Sequence, residues 1–313
     1  MSTPPVDAAE LGRNYLPLRR ATSGLRLMRC TCTAGTDAAA PDEQHDACSI
    51  TLIERGSLGY RTVAGKAQLT RGWLMLGNQG DGYACSHALS DGSGDDCIFL
   101  SIPAAMLEDS LSALGMPGTT PRFRKAALPP LPRVAALLAN LLADGDEGFA
   151  LEEGTLAVIG AVHSALSHRS APLASALLEE RARSAASCIE SRAGEQLSID
   201  DVAQSVGVGS FHLMRAFKRS IGVTPHQYLM RVRLLRAIDL LRDTALPITD
   251  VAYESGWADL SNFLRTFRRD VGCTPGDFRR GGRRLLIGEA SSNVAARPGD
   301  GAGYLQGIAP FSP

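Results

Sequence analysis

Two short phrases carry the most chemistry in this chain: RAFKRSIGVTP, beginning at Arg215, and RTFRRDVGCTP, beginning at Arg265. Each spaces cationic side chains at i and i+3 (Arg215 with Lys218, Arg265 with Arg268) around a phenylalanine. On a helix that spacing puts the cations on one face and the phenylalanine on another. Arginine offers a fork of N–H donors that matches the O6/N7 edge of guanine, and either cation can pair with phosphate. A second set, His45, Cys85, His87 and Cys97, holds ligand types suited to Zn²⁺ or Fe²⁺. Cys85 and His87 lie two apart, so on a strand they share a face. Cys97 opens the segment after the SDGSGDD turn and can lie across from Cys85; Cys30 and Cys32 are another pair at i, i+2. The alternatives are paired thiols that oxidise to a disulfide, or small buried side chains with no ligand at all. No Ser/His/Asp or paired-carboxylate arrangement is discernible, so the chain does not read as an enzyme. His163 and His168 read as structural.

The elements that must position these groups fall into two parts. At 313 residues the chain is long enough for two domains. Its 44% hydrophobic and 21% charged residues suit a soluble globular protein. No apolar run reaches membrane-spanning length. The start, MSTPPVDAAELGRNYL, lacks the basic and apolar regions of a secretory signal. Seven cysteines, an odd number, do not suggest a disulfide framework. The expected location is cytoplasmic, with no membrane partner. A net charge of −1 conceals an asymmetry. Residues 181–284 hold 17 Lys or Arg against 11 Asp or Glu, and the remainder is acidic. An arginine-rich module points to an anionic polymer.

Residues 1–20 show weak periodicity and read as poorly ordered. Residues 25–102 read as strands (LRLMRCTCT, CSITLIE, LGYRTVA, WLML, YACSH, CIFLSI) separated by turn signals, which suggests a barrel or sandwich. From about residue 103 the period becomes helical, and "ALPPLP" punctuates the first two helices. The expected domains are 21–178, a β-rich unit with a helical extension, and 179–284, all helical. Residues 285–313, rich in Gly, Ala, Pro and Ser, read as a disordered tail.

The helical domain repeats itself. Asp201-Val202-Ala203 matches Asp250-Val251-Ala252, and Gly207 matches Gly256, at an offset of 49. Beyond the glycine the offset is 50, from Arg215/Arg265 to Pro225/Pro275. Each copy reads as short helix, glycine turn and second helix, the pattern of a helix-turn-helix. Leu213, Ala216 and Phe217 face inward in the first copy, as do Phe263 and Phe267 in the second. Phe211, Met214, Arg215 and Lys218 face outward, as do Ser261, Leu264, Arg265 and Arg268. Thr224, Pro225 and Gln227 form the start of a helix of about residues 225–242 that joins the copies. A rigid joint would hold two reading helices at the spacing of successive major grooves, about 34 Å.

The stretch 197–280, with its double unit, joining helix and closing RRDVGCTPGDFRR, resembles the DNA-binding domain of the AraC/XylS family of bacterial transcriptional regulators. The resemblance implies a sequence-specific regulator, most relatives being activators, that binds promoter double-stranded DNA and works with RNA polymerase. It implies base-reading positions at Phe211, Met214, Arg215, Leu260, Ser261, Leu264 and Arg265, with His212, Lys218 and Arg268 on phosphate. The family usually has Ser at the head of each reading helix, where this chain has Gly209 and Ala258. Each exchange weakens a cap, and Asp259 can substitute for one of them. The strand-rich part is similar to a cupin-type sensor barrel, in which His45 stands where a first metal ligand is common. The fold expected is therefore multi-domain α+β, a cupin-like barrel with flanking helices and an all-α DNA-binding domain. The signal can be a small organic effector, a metal ion or thiol oxidation, and the helices at 131–180 can pair two chains as a homodimer. The alternative is a cupin-type metal-dependent enzyme fused to a DNA-binding module.

Overall fold

The computed structural model describes residues 13–33, 42–87, 94–116, 121–143, 148–167 and 176–281. Two antiparallel sheets form the N-terminal part. Strands β1 (Arg13–Arg20), β2 (Arg26–Cys32), β4 (Cys48–Arg55), β7 (Leu74–Gly77), β9 (Asp95–Ile102) and β10 (Ala127–Leu128) make a six-stranded sheet in the order β1-β2-β9-β4-β7-β10. Strands β3 (Glu43–Gln44), β5 (Leu58–Thr62), β6 (Gly65–Leu69) and β8 (Gly82–Ser86) make the second, in the order β3-β8-β5-β6. Strand β4 is buried almost throughout. Its Cys48, Ile50 and Leu52 pack among the helices, while Ile53 belongs to the core between the sheets. A strand covered on both faces reads as a continuous apolar run, which is why CSITLIE is conspicuous in the sequence.

Residues 13–20 correct the reading of 1–20 as poorly ordered: they are β1, paired along its length with β2. The strand is a largely exposed edge containing Pro17 and a register shift, so it carries no apolar alternation to betray it. Residues 1–12 and the tail expected at 285–313 lie outside the described residues, as does His168. The boundary expected at 178/179 falls inside helix α4 (Ala176–Arg192), which packs on the C-terminal helices.

Helices α1 (Ala104–Ala113), α2 (Pro132–Ala143) and α3 (Gly148–Leu166) cover the outer face of the six-stranded sheet. The C-terminal part comprises α4, α5 (Ile199–Ser205), α6 (Ser210–Ile221), α7 (Pro225–Asp243), α8 (Ile248–Glu254), α9 (Leu260–Val271) and α10 (Pro275–Arg279). Two cores run through the molecule. One joins the outer face of the large sheet, through Leu137, Leu138, Leu235 and Ile238, to Phe263, Phe267 and Phe278 around α9. The other joins the space between the sheets, through Trp73, to Tyr228, Phe217 and Ala185 around α6.

The two halves interlock along α7. Trp73 Nε1 donates to Tyr228 Oη at 2.9 Å, and Thr70 Oγ1 donates to Glu190 at 2.7 Å. Tyr228 Oη also donates to Glu190, and Arg71 pairs with Asp239. Burial pushes the Glu190 carboxyl up, and the two hydroxyl donors and Arg71 pull it back. Gly72, at φ 84°, lies under Leu235, whose Cδ1 occupies the place a Cβ would take. The positive φ favours glycine at that turn, and a Cβ there would displace the end of the Leu235 side chain on α7.

Candidate nucleic-acid interface

Each helix-turn-helix unit is built from local rules. Helix α5 begins at a capping box in which Ser198 and Asp201 exchange side-chain and backbone bonds. Gly207 (φ 66°) turns the chain, and α6 follows. Helix α8 leads to Gly256 (φ 94°) and then α9. Both second helices end on a left-handed glycine, Gly222 and Gly272. Thr224 caps α7 with Gln227 returning the bond, and Pro225 occupies the first turn. The joining helix is thus specified at its start by three residues and then by its buried face, which includes Tyr228, Val232, Leu235 and Ile238.

The outward face of α6 presents Phe211, His212, Met214, Arg215 and Lys218, all exposed, with Phe211 at 62%. Leu213, Ala216 and Phe217 are buried beneath them. On α9, Ser261, Leu264, Arg265 and Arg268 are exposed, while Phe263 and Phe267 are buried. Leu260 is less exposed than the other expected base-reading residues. It is half-buried at the head of α9 and packs partly on the core. The two arginines are held differently. The Arg215 guanidinium lies over the Phe211 ring at 5.7 Å, and Arg265 donates to Asn262 Oδ1 at 3.2 Å. Asn262 has no counterpart in the sequence reading, since an amide beside a row of arginines gives no periodic signal.

The caps of α6 and α9 explain the change of offset. Asp259 is the N-cap of α9 and accepts from the backbone N–H groups of Ser261 (3.1 Å) and Asn262 (2.8 Å). Gly209 stands at the equivalent place in α6 and provides no side-chain cap. The additional residue of the second copy therefore sits in its turn, where Trp257 is buried against Phe263. Gly209 has extended backbone and room for a Cβ. Gly209→Ser is expected to stabilise the fold by a few tenths of a kcal/mol, read as a small upward shift in urea midpoint.

A family profile described as a helix-turn-helix domain matches residues 202–281, which are the elements just described. The HTH-type transcriptional activator RhaS of Escherichia coli is 37% identical over 93 residues, covering 30% of this chain and 34% of RhaS. Residues 202–281 form an AraC-type helix-turn-helix domain. The chain spans about a third of the length of the curated relatives it matches. Among solved structures, a transcriptional regulator with an AraC-type DNA-binding domain from Chromobacterium violaceum is 31% identical. It covers 35% of this chain and 96% of that one, with a TM-score of 0.32. Apo ToxT from Vibrio cholerae strain SCE256 covers 86% of this chain and 99% of its own, at 16% identity and a TM-score of 0.36.

Outside the AraC-type domain, the four N-terminal candidates do not form one cluster. His45 Nε2 is 2.8 Å from Tyr60 Oη, and its ring stacks on Tyr83 at 4.1 Å. Burial holds His45 below the usual imidazole range. Among the described residues, the ligand-type group that converges is Cys32, His87 and Asp95, all buried. It contains His87 alone of the expected four. Cys97 Sγ donates to Asp95 Oδ2 at 3.2 Å, and Cys85 is the cross-strand partner of Tyr60. Asp95 went unread because it lies in SDGSGDD, a stretch with the composition of a turn. All seven cysteines are free thiols. Burial pushes Cys30 up to about 11 and Cys85 up to about 12, and Cys97 is also raised. Burial thus disfavours the thiolate form at each of them. Asp95 and Cys32 raise His87 to about 9. No helix among the described residues is long and apolar enough to cross a membrane.

Proposed function

We propose that the chain is a sequence-specific double-stranded-DNA-binding transcriptional regulator, acting as an activator through contact with RNA polymerase. The observation that carries it is the pair of exposed, arginine-bearing helices α6 and α9 joined by the one rigid helix α7. Arg215 and Arg265 read guanine edges, Met214 and Leu264 meet apolar base surface, and Lys218, Arg268 and His212 anchor phosphate. The N-terminal two-sheet unit acts as a cupin-like sensor. The interlock of Thr70, Arg71, Gly72 and Trp73 with α4 and α7 gives that sensor a grip on the element that spaces the reading helices.

Selection from a random duplex library with the purified full-length chain tests this reading. A single asymmetric consensus is expected, with two footprints about 10 base pairs apart on one face of the helix. Its affinity should exceed that for random DNA by at least about 10³-fold. Recovery of no consensus would sink the proposal. Lys218→Ala should weaken binding to all sequences alike and reduce the salt slope by about 1.

A further inference from the structure

Three ligand-type side chains converge where the two sheets meet at one rim. Cys32 ends β2, His87 directly follows β8, and Asp95 opens β9. Their sulfur, imidazole nitrogen and carboxylate oxygen all lie within 4.8 Å of one another. His87 and Asp95 are each 4% exposed and Cys32 is 2% exposed. His87 Nε2 and Asp95 Oδ1 share a hydrogen bond of 2.6 Å, which an ion entering between them replaces. The register sets Cys32 directly opposite Asp95 on adjacent strands, so both project from the same face of the large sheet. We propose that Cys32, His87 and Asp95 are the protein ligands of a divalent transition-metal ion of the zinc class.

The donor set selects the ion. One sulfur, one nitrogen and one oxygen suit a borderline cation such as Zn²⁺, whereas Mg²⁺ and Ca²⁺ require oxygen ligands. A thiolate and a carboxylate together carry two negative charges, which a divalent ion balances in a place where unbalanced charge is costly. Three protein ligands leave one position of a tetrahedron for solvent or an exogenous ligand. Cys97 holds the other carboxylate oxygen of Asp95, fixing the group from behind as supporting hydrogen bonds do at metal centres. Two ligands come from the six-stranded sheet and one from the edge of the four-stranded sheet, so a bound ion staples the sheets together. The site does not depend on the DNA-binding reading.

The test uses the full-length chain, stripped with a chelator and titrated with Co²⁺ and then Zn²⁺. One Co²⁺ per chain is expected, with thiolate-to-metal charge-transfer absorption and the intense d–d bands of a tetrahedral centre. Zn²⁺ should bleach these bands and raise the thermal midpoint. Cys32→Ser should remove the charge-transfer band, and His87→Gln and Asp95→Asn should each weaken binding by at least about tenfold, the least that loss of even a supporting partner of a metal ligand costs. His45→Gln and Cys85→Ser should leave spectrum and stoichiometry intact. Absence of saturable uptake by the folded wild type overturns the site, as does a charge-transfer band surviving in Cys32→Ser. Should Cys32→Ser fail to fold, full affinity in either His87→Gln or Asp95→Asn overturns it instead.

Discussion

Gly256→Ala is expected to destabilise the protein by about 2–5 kcal/mol, while Gly207→Ala, at the matching turn of the first unit, costs about 1–2 kcal/mol. Both glycines have positive φ, 94° and 66°, so any L-residue is strained at either place. Their surroundings differ. A Cβ on Gly207 meets nothing within 4 Å. A Cβ on Gly256 overlaps the backbone oxygen of Ala193 and comes within 2.9 Å of Arg233 Nε. That oxygen already accepts from Arg233 Nε at 2.9 Å, and Arg233 is buried, so neither partner can retreat cheaply. The first turn pays for backbone alone and the second for backbone plus overpacking. Urea unfolding of the two variants measures the difference, and equal losses would show that the turn of the second unit is not wedged against the end of α4.

The second large effect falls on recognition. Arg215→Ala and Arg265→Ala should each cost about 1–3 kcal/mol of specific DNA binding and relax preference at one base position. An equal loss on random duplex would reassign the side chain to phosphate. The two tethers refine the expectation. Arg265 is aimed by Asn262, a directional hydrogen bond, so Asn262→Ala should reduce discrimination at the Arg265 position. Arg215 rests over Phe211, a contact that fixes height above the ring more than rotation. Competition binding against single-base operator variants separates these cases.

The AraC-type domain was legible because its signals are local. Caps at Ser198 and Thr224, glycine turns, and the spacing of Phe217 and Phe267 each constrain a few neighbouring residues, and they agree with one another. The N-terminal half was less legible for the same reason. β1 is an exposed edge, β6 (GKAQL) is polar, and β3 and β10 are two residues each, so pairing partners distant in sequence decide them. The ligand group failed in the same way. Cys85 and His87 are neighbours in sequence, but His87 meets Cys32 and Asp95 through strand register, which spacing along the chain does not reveal. Leu260, assigned by resemblance and not by periodicity, is half-buried at the first turn of α9.

The two cores connect the helix-turn-helix units to opposite faces of the large sheet. The unit containing α6 shares its packing with the space between the sheets, through Trp73 and Tyr228. The unit containing α9 shares its packing with the opposite face of the large sheet, through α2 and α7. Close-packed interiors pass strain to their neighbours. A perturbation between the sheets therefore acts first on the unit containing α6, and one beneath α2 acts first on the unit containing α9. By thermodynamic reciprocity, loading one helix-turn-helix unit must feed back on a different face of the large sheet than loading the other. The two units of one polypeptide are thus mechanically coupled to opposite faces of one sheet.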